Sequence, residues 1–325
     1  MPTLLVTKQM SPALAARVQA AVSGHRSGAA RRAPLKALLR LLTFVFLVAS
    51  VASILNFRRQ QARERESRRA ALLEIVASEA GKLSRKDREL PRAIAAAIAL
   101  ETSANYAGDT IAEDLRNKAS LDQALSHPII YVRGPLESLA QPARLAELAA
   151  SSTKDAFVLC LLAPPDARTE KALRAKASTV SAQGQGMQAT AHVERLDPLL
   201  QAMPFLEREW AERVQATESI PTLQKLQTRL EAAPFAAGVR AAKARQLLLV
   251  ADETLTATGP TELDGERAHS VRVSLTDLND GETRLRYRRS VDPSWLSEAT
   301  RAQFASGADS CALAMDIRQA AANLP

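Results

Sequence analysis

Residues 41–57 read LLTFVFLVASVASILNF without a single charge, and Arg40 and Arg58 close the run on either side. At about 1.5 Å of rise per residue, such a helix nears the ~30 Å of a hydrocarbon core once residues 37–39 join it and the flanking arginines reach out to the headgroups. A soluble core helix is a poor alternative, because lysine and arginine cluster on both sides and no acid occurs in residues 1–40. A cleaved export signal is the closer rival. Ser50-Val51-Ala52 looks like a small-residue cleavage site, and Arg31-Arg32 loosely fits a twin-arginine signal. Forty residues ahead of the apolar run is long for such a leader, so the pattern favours a retained transmembrane helix over residues 37–57.

The net charge of +8 invites a nucleic-acid reading, but its distribution argues otherwise. Residues 1–69 hold 13 lysines and arginines against Glu64 and Glu66, which leaves 30 bases against 33 acids in residues 70–325. The excess positive charge therefore flanks the apolar run, where it meets anionic lipid headgroups on both sides, and the large domain carries no basic footprint for nucleic acid. Orientation is nearly balanced by the positive-inside count. Arg26, Arg31, Arg32, Lys36 and Arg40 lie upstream; Arg58, Arg59, Arg63, Arg65, Arg68 and Arg69 lie downstream. The acid-free tail tips the choice toward a cytoplasmic N-terminus and an extracytoplasmic domain.

The basic tail, residues 1–36, contains a short helix pattern opening at Ser11-Pro12 and closing at Gly24. Beyond the anchor, residues 58–84 form a helical stalk that Gly81 and Ser84 end. Helices are expected at 91–102, 109–124 and 142–150. Aromatics are only 4% of the chain, and alanine and leucine carry the apolar load, so helix should dominate. Three continuous apolar runs, 129–132, 156–163 and 247–251, read as buried parallel strands. A helical insertion spans about 169–244. Val271, Val273 and Leu275 alternate with Arg272, Ser274 and Thr276, and Asn279-Asp280-Gly281 turns the chain into 283–289, which makes a hairpin with one polar face. Helices at 294–305 and 310–322 close the chain. The fold class is therefore helix-rich α/β: an N-terminal transmembrane helix, then residues 85–325 as a mixed or parallel α/β domain with a helical insertion and a C-terminal β-hairpin.

Chemistry is sparsely marked. Gly184-Gln185-Gly186-Met187-Gln188-Ala189 fits a dinucleotide pattern but follows a helix-like segment, whereas that motif needs a strand leading into a helix N-terminus. His25, His127, His192 and His269 are not at metal spacing from one another or from a cysteine, and no cofactor or metal is expected. Arg133-Gly134, Asp166 and Asp252-Glu253 each follow an expected strand, at the sheet end where open α/β folds place ligands. Asp166, Asp252 and Glu253 are thus the candidate catalytic acids. Cys160 and Cys311 could pair in an oxidising compartment. Arg284, Arg286 and Arg288 give the hairpin a basic face, either as protection of an edge strand or as a docking surface for a protein partner or anionic lipid. These features point to a single-pass, membrane-anchored envelope protein with a binding or assembly domain, the alternative being a membrane-tethered enzyme that uses the strand-end acids.

Overall fold

The computed structural model describes residues 11–152, 155–183, 192–253 and 268–323. The chain divides into two compact units, Met1–Arg68 and Arg69–Pro325.

The described residues of the first unit are helical. Helix α1 runs over Pro12–Gly81, so the break expected at Gly24 does not occur. A helix-ending glycine takes a left-handed backbone, and among the described residues only Gly108 and Gly281 have positive φ. Left helical, a glycine costs only about 1 kcal/mol, which the surrounding alanines and leucines outweigh. The part of α1 from Leu38 holds an 18-residue window of mean hydropathy 2.3 with none of it buried, long and apolar enough to cross a membrane. Phe44, Phe46 and Leu47 stand exposed along it.

In the second unit the last turns of α1 bring Leu72 and Val76 against Trp210, Val214, Leu223, Leu226 and Leu230. Those partners lie on α9 (Arg208–Ala216) and α10 (Ile220–Glu231) of the insertion. Arg69 donates from Nε and Nη2 to the Thr217 carbonyl at 3.2 and 2.7 Å. Helix α2 (Arg85–Glu101) begins earlier than Pro91, because Ser84 and Asp87 form a reciprocal capping box. Where one helix was expected at 109–124, the chain forms strand β1 (Thr110–Ile111), a 3-10 turn and then α3 (Lys118–Leu125), whose first turn is capped by the extended Asn117.

Six strands build the sheet: β1, β2 (Ile129–Pro135), β3 (Val193–Glu194), β4 (Gln246–Glu253), β5 (His269–Asp277) and β6 (Thr283–Val291). Their spatial order is β1-β6-β5-β4-β2-β3. β2 is parallel to both β3 and β4, while β4, β5, β6 and β1 pair antiparallel. The run 156–163 is not a strand. It forms helix α6 (Ala156–Leu162), capped by the Asp155 carboxylate, which accepts from the Phe157 amide. A continuous apolar run satisfies either element, and here both edges of β2 are already taken by β3 and β4.

Side chains alternate across the sheet. Ile129, Tyr131, Leu248, Val250, Val271, Val273 and Leu275 face one layer, formed by α3, α6, α7 (Glu170–Gln183) and α12 (Glu298–Asn323). Ile130, Val132, Leu247, Leu249 and Ala251 face the other. That layer holds α2, α4 (Leu136–Leu139), α5 (Leu145–Ser152), α8 (Leu196–Ala202) and α11 (Phe235–Ala241). In the first layer the Cys160–Cys311 disulfide joins α6 to α12. The two helices expected at 294–305 and 310–322 are the single helix α12, because Gly307 serves close packing rather than a break: a Cβ there would sit 3.0 Å from that of Ala177 on α7. The polar face of β5 is also not a solvent face, since Arg272, Ser274 and Thr276 are buried. The end of α2 covers it: Arg272 Nη1 donates to the Ser103 carbonyl at 2.7 Å, and Glu101 accepts from Thr283 and Arg286.

Candidate functional site

After four fully buried apolar residues, β2 places Arg133 at its carboxyl end, on the same face as Tyr131. An arginine there needs compensation, and it finds two carboxylates. Nε and Nη2 form a bidentate pair with Asp252 at 3.0 and 2.8 Å, from the adjacent end of β4. Nη1 donates to Asp155 at 3.0 Å and to the Ser310 hydroxyl at 2.6 Å. Asp155 also accepts from the Tyr131 hydroxyl while capping α6. His269, opening β5, sets its Nε2 3.2 Å from Asp252 Oδ1. Next along α12, Asp309 accepts from Trp295 Nε1 at 3.1 Å, and its other oxygen, Oδ2, is buried with no hydrogen-bond partner.

The two aspartates facing this cluster are tuned in opposite senses. Burial would raise the Asp252 carboxyl, but the Arg133 charge and the bonds from His269 and Arg133 overcome it and hold it at about 2. Burial does raise Asp309, to about 6, because its single indole donor and the more distant His269 and Arg133 offset too little. Burial likewise pushes the Tyr131 phenol up, with the neighbouring Asp155 charge adding to it.

The sequence-derived acids do not converge. Asp166 lies exposed after α6, far along the chain from any strand end. Asp252 and Glu253 are consecutive on β4 and point to opposite faces. On the second face Glu253 accepts from Arg272 and, at 2.7 Å, from Arg288 Nε. Arg286 pairs bidentately with Glu101, and Arg284 donates from Nη2 alone to Asp280, so the hairpin arginines are engaged by acids of this chain. A groove of about 590 Å³ lies beside β1 and β6, lined by Asp109, Arg116, Tyr287 and Arg289, and one of about 370 Å³ lies near Lys118 and Arg318. Neither is lined by Asp166, Asp252 or Glu253. Among the described residues no group of three or more His, Cys, Asp or Glu could hold a metal ion. The motif at residues 184–189 lies outside the described residues.

The cluster can store charge and fix the ends of β2, β4 and β5 relative to α6 and α12. Asp155, Asp309, Ser310 and the pairing role of His269 were not visible as functional residues in the sequence. The one signal that could have found them is a basic residue closing an apolar strand, which demands buried acids elsewhere. No family model, curated protein or solved structure matches the chain.

Proposed function

We propose that this chain is a single-pass envelope protein that holds its α/β domain outside the cytoplasm as a binding or assembly module. The observation that carries the reading is the uncharged, uncovered stretch of α1 between Arg40 and Arg58. Exposed apolar side chains along so long a stretch call for lipid or protein contact in place of water. Arg40, Arg58 and Arg59 would meet the anionic headgroups at its two ends. The buried Cys160–Cys311 disulfide supports an oxidising location for the domain, because such bonds are rare where thiols are kept reduced. A binding role is favoured over catalysis because Asp252 and Glu253 are each neutralised by arginines and aim to opposite sides of the sheet.

Cysteines introduced one at a time at Asp280, on the hairpin turn, and at Ser27, in the tail, test the orientation with a membrane-impermeant thiol reagent. With the outer barrier opened and the inner membrane intact, the position-280 variant should react and the position-27 variant should not. The opposite pattern would place the domain in the cytoplasm. Resistance to alkaline carbonate extraction checks the anchor itself, and a mature chain beginning near Ser53 would remove it.

A further inference from the structure

The sheet ends in an unfinished edge. β6 is nine residues long, but on its outer side β1 pairs only with Leu285 and Arg286. We propose that the edge beyond β1 is a docking site for an extended acidic peptide, which adds a strand beside residues 288–290 and sets a carboxylate against Arg116 and Arg289. The proposal rests on the binding-module reading and names the partner's chemistry and its place.

Three features carry it. The first is the edge itself. The Ala112 amide donates to the Arg284 carbonyl at 2.8 Å and the Arg288 amide to Asp109 Oδ1 at 2.9 Å, so the even-numbered residues of β6 turn their backbone groups outward. Gly108, at φ 94°, brings the chain in from outside the line of β1, which starts only at Thr110. By the same alternation the exposed Ser290 presents its amide and carbonyl on this edge, where β1 does not reach. The second feature is the groove of about 590 Å³ beside it, lined by Thr110, Arg116, Tyr287, Arg289 and, from α12, Ala320, which is the size of a binding cleft. The third is charge. Among the described residues the Arg116 side chain has no hydrogen bond or ion pair. Arg289 lies 4.2 Å over the Tyr287 ring, and its bonds to Asp109 and to the Arg288 carbonyl both leave from Nη1. Asp109, the acid in the lining, is already engaged by the Tyr106 hydroxyl, the Arg288 amide and Arg289. A side chain that an added strand turns into the groove therefore meets two guanidinium groups, which bind a carboxylate through charge-assisted hydrogen bonds. A second copy of this chain fits worse, because pairing β6 with its own image lines up Arg288 and Arg289 of both copies.

The full chain in detergent micelles can be panned against displayed random peptides about seven residues long, the length of an ordinary strand, and the affinities of the enriched peptides read by fluorescence polarisation. Enriched peptides should carry Asp or Glu and bind Arg116→Glu about tenfold more weakly, with the melting temperature unchanged because Arg116 is exposed. N-methylation of alternate peptide amides reads the strand: methylating one alternate set should abolish binding, and methylating the other should be tolerated. Should Arg116→Glu fail to fold, Arg116→Gln takes its place. No enrichment overturns the proposal, and so does an affinity unchanged in the Arg116 variant, which would show peptides bound elsewhere on a domain that is still a binding module. Equal tolerance of both methylated sets overturns it as well, leaving an anion site without an added strand. Arg116-dependent binding of short-chain phosphatidylglycerol in place of any peptide would assign the groove to lipid and overturn it too. The placement of the domain outside the cytoplasm fails on the thiol labelling, which this experiment does not touch.

Discussion

Asp252 and Glu253 are neighbours on one strand, yet they belong to different electrostatic worlds. Asp252 turns to the face packed by α6 and α12, where it shares Arg133 with Asp155 and touches His269. Glu253 turns to the face capped by the end of α2, where it holds Arg272 and the half-exposed Arg288. Alternation along a strand sends adjacent acids to opposite layers, and the layer sets what each ion pair contributes. Inside, a missing partner leaves an uncompensated charge; at the rim, water replaces it.

The largest effect should come from breaking the inner pair. Arg133→Ala strands Asp252 and Asp155 beside Tyr131 and should cost about 3–5 kcal/mol in denaturant unfolding of the detergent-solubilised chain. A loss under about 1 kcal/mol would mean that solvent reaches the cluster and that the contrast between the faces is overstated.

On the same face, replacing both Cys160 and Cys311 by alanine removes a link between residues 151 apart in sequence and should cost roughly 2–5 kcal/mol. The same measurement applies, and reducing the native chain should reproduce most of the loss. The helices α6 and α12 should separate before the hairpin does, which hydrogen exchange would resolve.

Acid and base should act on the inner face in opposite directions. Asp252 is held at about 2, so its contribution is present above its unfolded value near 3.8 and disappears as pH falls toward 2. Asp309 is raised to about 6, so its share is present below 3.8 and is lost as pH rises through 6. Asp309→Asn should therefore remove the decline in stability between about pH 4 and about pH 6, roughly 1–2 kcal/mol after allowing for solvent screening. Melting temperatures across that window check it. A decline unchanged in the variant would assign the pH dependence to another group.

The smallest effect should come from the rim. Arg288→Ala should cost less than about 1 kcal/mol and fade at high salt, because Arg288 is half-exposed and Glu253 keeps Arg272. A loss as large as that of Arg133→Ala would erase the distinction between the two faces.

What could be read in the sequence was local. The apolar run closed by Arg40 and Arg58, the alternation of Val271, Val273 and Leu275, and the bounded strands at 129–132 and 247–251 all rest on spacing within a few residues, and each marks a real element. The run 156–163 was ambiguous because burial on every side erases periodicity, and only the neighbours of β2 decide between helix and strand. The segments 294–305 and 310–322 read as two helices until Gly307 between them is seen packed against Ala177. The polar face of β5 reads as solvent-facing until Glu101 and Ser103 cover it. The inner cluster was hidden by distance along the chain: Arg133 meets partners 22, 119 and 177 residues away. No local pattern encodes such a meeting. It follows from topology, once β2 and β4 lie side by side.

The envelope reading can be tested most directly through thiols, because the chain has only two cysteines and both lie in one disulfide. Cells producing the protein are quenched in acid and denatured, then treated with a maleimide-linked polyethylene glycol with and without prior reduction. An extracytoplasmic domain predicts no mass addition before reduction and two additions after it. Two additions without reduction would show both thiols free in the cell, and would contradict the placement of this domain outside the cytoplasm.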